Sequence, residues 1–134
     1  NPKATAFIEK EIGIEQNIAE SEFSTYIIIS DLFENLPRTA YDLIVFNTPY
    51  LPDDKEVHDP ALHGGQEGNE VALRFLDDAP GYLADDGKLL LLISSLGKPE
   101  AVEEKIRSVG LTGDVTRRKK LFFEELLVYT LRKR

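Results

Sequence analysis

Asn47-Thr48-Pro49-Tyr50 is the segment whose residue types are best suited to chemistry, and it follows directly on the apolar run Leu43-Ile44-Val45-Phe46. It places an amide, a backbone carbonyl beside a proline and an aromatic ring within four residues. Such a turn can hold a planar NH2 group still while an electrophile approaches. The chemistry it suits is methylation of a poorly nucleophilic nitrogen, whose lone pair is delocalised and whose orientation must therefore be imposed. Two acceptors would fix the two N–H bonds: the Asn47 side-chain carbonyl and the Thr48 backbone carbonyl. Pro49 would restrict the turn, and Tyr50 would pack a flat face on the substrate group. The same acceptors would stabilise positive charge developing on nitrogen. Positioning supplies much of the rate, so no strong base is required. The plainer alternative is an ordinary strand-to-loop turn with a capping asparagine.

The elements that must position this turn follow an α/β pattern. Residues 42–47 read as a strand apolar on both faces, as at the centre of a parallel sheet. Residues 25–30 are β-branched and aromatic and read as a strand, with Asp31-Leu32-Phe33 at its carboxyl end. Residues 88–94 form a third buried-type strand after an Asp85-Asp86-Gly87 turn. Helices are expected over residues 1–12, with Asn1 as cap, and over 69–84, where Ala72, Phe75, Leu76, Ala79 and Leu83 share one face. Pro80-Gly81 is expected to bend or interrupt the second. Pro99 opens a further helix with Val102, Ile106 and Val109 inward and a Glu103–Arg107 pair outward. Residues 111–119 and 122–131 look like an antiparallel pair, and residues 51–69 a long polar loop. Ligands of such sheets collect beyond the carboxyl ends of strands, where Ser30-Asp31, Asn47 to Tyr50 and Ser94-Ser95 lie.

Composition narrows the classes. At 134 residues the chain is one domain or part of one. Its net charge of -8 disfavours general attraction to phosphate backbones. Arg117-Arg118-Lys119-Lys120 is the local exception, read as a solvated strand end or turn. Without cysteine there is no disulfide, thiolate zinc site or cysteine nucleophile. His58 and His63, with Asp59 or Glu67, lack the tight helical spacing of a metal site, so no metal is expected. No apolar run spans a bilayer and no signal peptide is present, so a cytoplasmic protein is expected. Methionine is absent and the chain begins Asn-Pro-Lys-Ala. That start predicts that further residues precede Asn1 in the natural product.

Asn1-Pro2-Lys3-Ala4, Ser30-Asp31-Leu32-Phe33 and Tyr41-Asp42 through Asn47-Thr48-Pro49-Tyr50 together resemble class I S-adenosylmethionine-dependent methyltransferases. The nearest group is the HemK-like one, which methylates a glutamine side-chain amide in peptide chain release factors. Gly64-Gly65, Gly68, Val71 and Arg74-Phe75-Leu76-Asp77 also resemble it, particularly its short archaeal and eukaryotic-type members. The resemblance covers nearly the whole chain. It implies a Rossmann-like fold with a mostly parallel sheet, an antiparallel C-terminal strand and its first strands lacking. Residues 1–134 would be the C-terminal portion of a single methyltransferase domain. Asn47, Pro49 and Tyr50 would match the catalytic and substrate-binding tetrapeptide, with Thr48 contributing its carbonyl. Asp31 and Leu32 would lie near the adenine of S-adenosyl-L-methionine, and Asn47 near its methionine end. Some members require a small zinc-binding activator protein, and the release factor is the implied protein substrate.

Two departures from the family pattern carry expectations. Thr48 stands where the family's tetrapeptide has its first proline, so the turn is expected to lose rigidity and the reaction to lose rate. The family's glycine-rich cofactor loop and ribose-binding acid precede the Asn-Pro-x-Ala segment at which this chain begins. The 134-residue chain alone is therefore expected to bind the cofactor weakly and to be inactive. Gly64-Gly65-Gln66 repeats the release-factor motif itself, and is read as coincidence in a glycine-rich loop. Two alternatives stay open: an adenine N6-methyltransferase gripping a flipped base, and a non-catalytic methyltransferase-like binding module.

Overall fold

A computed structural model describes residues 25–50, 59–60 and 62–134. The expected first helix, and residues 51–58 and 61 of the polar loop, His58 among them, lie outside the described residues. The chain divides into two compact units, residues 1–37 and 38–134.

In the first unit, residues 25–30 form no strand. Tyr26, Ile28 and Ile29 are exposed at 81%, 41% and 48%. Strand propensity alone does not make a strand. A ladder partner must take up the backbone groups, and none pairs with this run among the described residues. Residues 31–35 form a turn instead. The Glu34 N–H donates to the Asp31 carbonyl (3.1 Å), and the Asn35 N–H to Ser30 Oγ (2.9 Å). Asn35 Nδ2 donates to the Ile29 carbonyl at 2.9 Å.

The second unit is a four-stranded sheet with two helices. Its elements are β1 (Tyr41–Asn47), α1 (Glu70–Tyr82), β2 (Leu83–Ser94), a 3-10 turn (Ser95–Gly97), α2 (Pro99–Ser108), β3 (Leu111–Lys120) and β4 (Glu125–Lys133). The sheet order is β1-β2-β4-β3. β1 and β2 run parallel, and β4 is antiparallel to both β2 and β3. The expected antiparallel final pair is thus present.

The core lies on one face of this sheet. Leu89, Leu91 and Ile93 of β2 pair with Leu131, Tyr129 and Leu127 of β4, and all six are buried. α1 buries Ala72, Phe75, Leu76, Ala79 and Tyr82 at helical spacing. Phe75 meets Phe46 of β1, with ring centroids 4.3 Å apart. α2 buries Val102 and Ile106.

Several expectations are corrected. Pro80 sits in the last turn of α1, which continues to Tyr82 without interruption. Its missing N–H costs only one bond near a helix end, where few remain to lose. Leu83 is buried but begins β2 rather than ending the helix. The Asp85-Asp86-Gly87 turn is an irregularity inside β2. Tyr41 pairs with Leu83 and Leu43 with Lys88, so β2 carries extra residues at this point. β1 is not buried on both faces, since Leu43 and Val45 are 55% and 64% exposed. Among the described strands β1 is an edge, paired only with β2, and Phe75 of α1 packs on its Phe46 side. Glu103 does not face outward toward Arg107; it accepts a hydrogen bond from the Tyr129 hydroxyl at 2.7 Å. Burial first, and then Glu103, push that hydroxyl well above its ordinary pKa.

Candidate functional site

The turn after β1 is fastened by its second residue. Asn47 pairs with Leu92 at the end of the parallel β1–β2 ladder. The next residue, Thr48, is buried at 3% exposure. Its N–H and its Oγ1 both donate to the Leu92 carbonyl, at 3.3 and 2.7 Å. A proline at this position could make neither bond. The expected loss of rigidity is therefore offset by a two-donor clamp, worth about 0.5–1.5 kcal/mol per bond. Asn47 is exposed beyond this clamp, and Pro49 and Tyr50 are half-buried.

The glycine-rich loop backs the turn. A Cβ on Gly64 would stand 2.2 Å from the Pro49 carbonyl oxygen and 2.8 Å from that of Gly68. Only glycine permits this approach. The loop folds onto itself through Gly68 N–H to the Gly65 carbonyl (3.0 Å) and joins α1 through Val71 N–H to the Gly64 carbonyl (3.3 Å). Glu70, first in α1, reaches back to accept the N–H groups of Glu67 (3.0 Å) and Asn69 (3.2 Å). Partial burial pushes its carboxyl up, but the backbone donors outweigh that and hold it below the ordinary range. Asn69 is buried, and its Nδ2 has no hydrogen-bond partner. His63 Nδ1 accepts the Asp59 N–H at 2.9 Å. No cluster of three metal-ligating side chains occurs among the described residues.

Ser94 and Ser95, read from sequence only as polar strand-end residues, anchor the far hairpin. Ser94 Oγ donates to the Glu124 carboxylate and accepts the Leu96 N–H (3.1 Å). Ser95 Oγ accepts the Glu125 N–H at 2.9 Å. The structure thus gathers Asn47, Thr48 and Ser94 at one end of adjacent strands. Asp31 and Leu32 belong to the other compact unit, where Asp31 is exposed and Leu32 has a left-handed backbone (φ 51°). A cavity of about 450 Å3 lies elsewhere, lined by Glu103, Arg107, Arg118 and Tyr129 among others, and does not include the turn.

Parallel β1 and β2, with antiparallel β4 beside β2 and β3 outside it, form a mixed sheet of the Rossmann-like kind found in solved methyltransferases. Residues 12–120 match the family model described as methyltransferase small domain, and the chain belongs to that family. It is 38% identical over 104 residues to a Methanocaldococcus jannaschii protein named as a protein N5-glutamine methyltransferase, covering 74% of this chain and 52% of that one. It is 41% identical over 90 residues to the ribosomal protein uL3 glutamine methyltransferase of Bordetella pertussis, covering 58% of this chain and 30% of that one. The chain therefore spans about half the length, or less, of these relatives. Among solved structures it resembles the E. cuniculi Mtq2–Trm112 complex, described as responsible for methylation of the eRF1 translation termination factor. There the TM-score is 0.68 at 25% identity, over 90% of this chain and 68% of that one. Among the described residues no helix is long and apolar enough to cross a membrane.

Proposed function

We propose that this chain carries the substrate half of an S-adenosylmethionine-dependent N-methyltransferase acting on a glutamine side-chain amide of a peptide chain release factor. The observation that carries the reading is the Asn47–Tyr50 turn, clamped through Thr48 to Leu92 at the carboxyl end of a parallel strand pair. Relatives named for glutamine methylation support the substrate class. The Asn47 side-chain carbonyl and the Thr48 backbone carbonyl accept the two N–H bonds of the substrate amide. The Leu92 clamp fixes the direction of the second acceptor. Pro49 restricts the turn, Gly64 backs its carbonyl, and Tyr50 packs on the planar amide. As nitrogen gains positive charge, the same two acceptors stabilise it, so charge stabilisation and orientation come from one geometry.

The residues present fit the cofactor's donor set in part. Asp31, exposed on its turn, has the acceptor chemistry for an adenine amine, and Leu32 an apolar surface for the ring; Asn47 would meet the methionine end. When bound, S-adenosyl-L-methionine supplies an electrophilic methyl group. A small activator protein is the partner this reading carries, by likeness to the Mtq2–Trm112 complex; that it binds zinc is what the family resemblance implies. The test is transfer of labelled methyl by the full-length protein, with and without activator, to a release factor and separately to adenine-containing oligonucleotides. Label on the factor's glutamine supports the reading, and label on adenine alone refutes it.

A further inference from the structure

The β3–β4 hairpin ends in an apolar tip that the core does not use. Phe122 and Phe123 are 90% and 83% exposed, and Leu121 is 42% exposed. The two rings pack edge to face, with centroids 4.4 Å apart. The turn beneath them is closed by the Leu121 N–H donating to the Glu124 carbonyl at 2.8 Å. The four residues leading into the tip are Arg117, Arg118, Lys119 and Lys120, all exposed. They are four of the 16 Lys and Arg residues in a chain of net charge -8. Arg118 is paired with Glu125 (2.8 Å), and Arg117 donates to the Thr116 carbonyl (2.9 Å).

The tip's position relates it to the candidate site. β4 begins at Glu125 and pairs Leu126 with Ser94, two residues beyond Leu92, the partner of Asn47. The tip therefore projects from the same end of the sheet as the Asn47–Tyr50 turn. β4 stands two strands from β1, about 10 Å across. The Ser94–Glu124 and Ser95–Glu125 bonds fix the hairpin base to the end of β2. A partner seated on the tip is held at a set distance from the turn.

We propose that this tip is the docking element for the protein substrate, taking an apolar pocket flanked by acidic side chains next to the modified glutamine. The proposal rests on the protein-substrate reading above. A single glutamine amide offers too few contacts to select one protein, so affinity must come from anchors away from the reacting nitrogen. Exposed aromatic residues on a rigid base are such anchors. The adjoining cations complement carboxylates, whereas the chain's net negative charge opposes a nucleic-acid backbone.

The test compares wild type, the double variant Phe122→Ser/Phe123→Ser and the double variant Lys119→Glu/Lys120→Glu in the full-length protein. Each is assayed on the intact release factor, on a short peptide containing the target glutamine, and for binding of a labelled RNA oligonucleotide. Because these side chains are exposed, unfolding temperatures are expected to match wild type. The phenylalanine variant should raise KM for the intact factor roughly tenfold or more, leaving kcat and peptide methylation within about twofold. The lysine variant should raise KM about fivefold at low salt, with the difference shrinking as NaCl is raised. Unchanged KM for the intact factor overturns the docking surface while leaving the substrate reading intact. Equal losses on peptide and factor overturn it too, since the tip would then be shaping the site. Loss of RNA binding with unchanged factor kinetics assigns the tip to nucleic acid and also overturns it. If wild type methylates neither factor nor peptide, the substrate reading itself fails and takes the docking surface with it.

Discussion

Thr48→Val removes one hydroxyl and little else, which makes it the sharpest probe of the clamp. The side chain is buried, and its Oγ1 lies 2.7 Å from the Leu92 carbonyl. That carbonyl keeps the Thr48 N–H at 3.3 Å, so no buried acceptor is stranded. The cost is therefore that of a single hydrogen bond, about 1 kcal/mol, or a fivefold change in the folding equilibrium. For a chain of this size that lowers Tm by about 3–5 °C. If the whole bond also serves to orient the Thr48 carbonyl, kcat falls about fivefold with KM little changed. Circular dichroism melts and steady-state methyl transfer read the two effects. Thr48→Ser, which keeps the hydroxyl, should stay near wild type. Thr48→Pro installs the proline that the family resemblance implies at this position but removes both donors to Leu92, and should be no faster than wild type. A Thr48→Val protein with unchanged Tm and kcat, or a faster Thr48→Pro protein, would refute the clamp.

Three further outcomes concern the loop behind the turn and the helix that follows it. Gly64→Ala places a methyl group 2.2 Å from the Pro49 oxygen, against backbone that cannot step aside; it should destabilise by about 1–3 kcal/mol and depress activity. Gly81→Ala, at a helical position with nothing within 4 Å, should instead stabilise by about 0.5–1 kcal/mol in the same melts. Glu70 titrates below its ordinary 4.5 in the folded chain, so its ionised form favours folding above that pH. The advantage is lost as pH falls through the folded value. Urea unfolding of wild type and Glu70→Gln should therefore differ near neutrality and converge as pH falls through the lowered folded value; a gap that persists in strong acid contradicts this.

What the sequence made legible was local. The stripes at Ala72, Phe75, Leu76, Ala79 and at Val102, Ile106 name helices because periodicity is written in the chain itself. The apolar run of 88–94 and the final antiparallel pair are legible for the same reason, as is a chemically suited turn after a strand. Residues 25–30 were not, because β-branched residues become a strand only when another strand pairs with them. The exposure of Leu43 and Val45 likewise depends on what lies beside β1, which no local pattern encodes. The site's supporting contacts join distant positions: Thr48 to Leu92, Gly64 to Pro49 and Ser94 to Glu124. Only Gly64 left a trace, since a run of glycines beside a candidate site can signal close backbone approach as readily as a flexible loop. The resemblance to a methyltransferase group supplied what periodicity could not, namely the cofactor-side roles proposed for Asp31, Leu32 and Asn47.

Asn47 makes the most direct test of the central claim. The full-length protein, with labelled S-adenosylmethionine, a release factor and any required activator, is compared with Asn47→Ala, and the factor's peptides are read by mass spectrometry. One methyl group on a glutamine side chain with wild type, and a rate about 100–1000-fold lower with Asn47→Ala, is the predicted result. Undiminished methylation by Asn47→Ala, or methyl groups found on other side chains only, would contradict it.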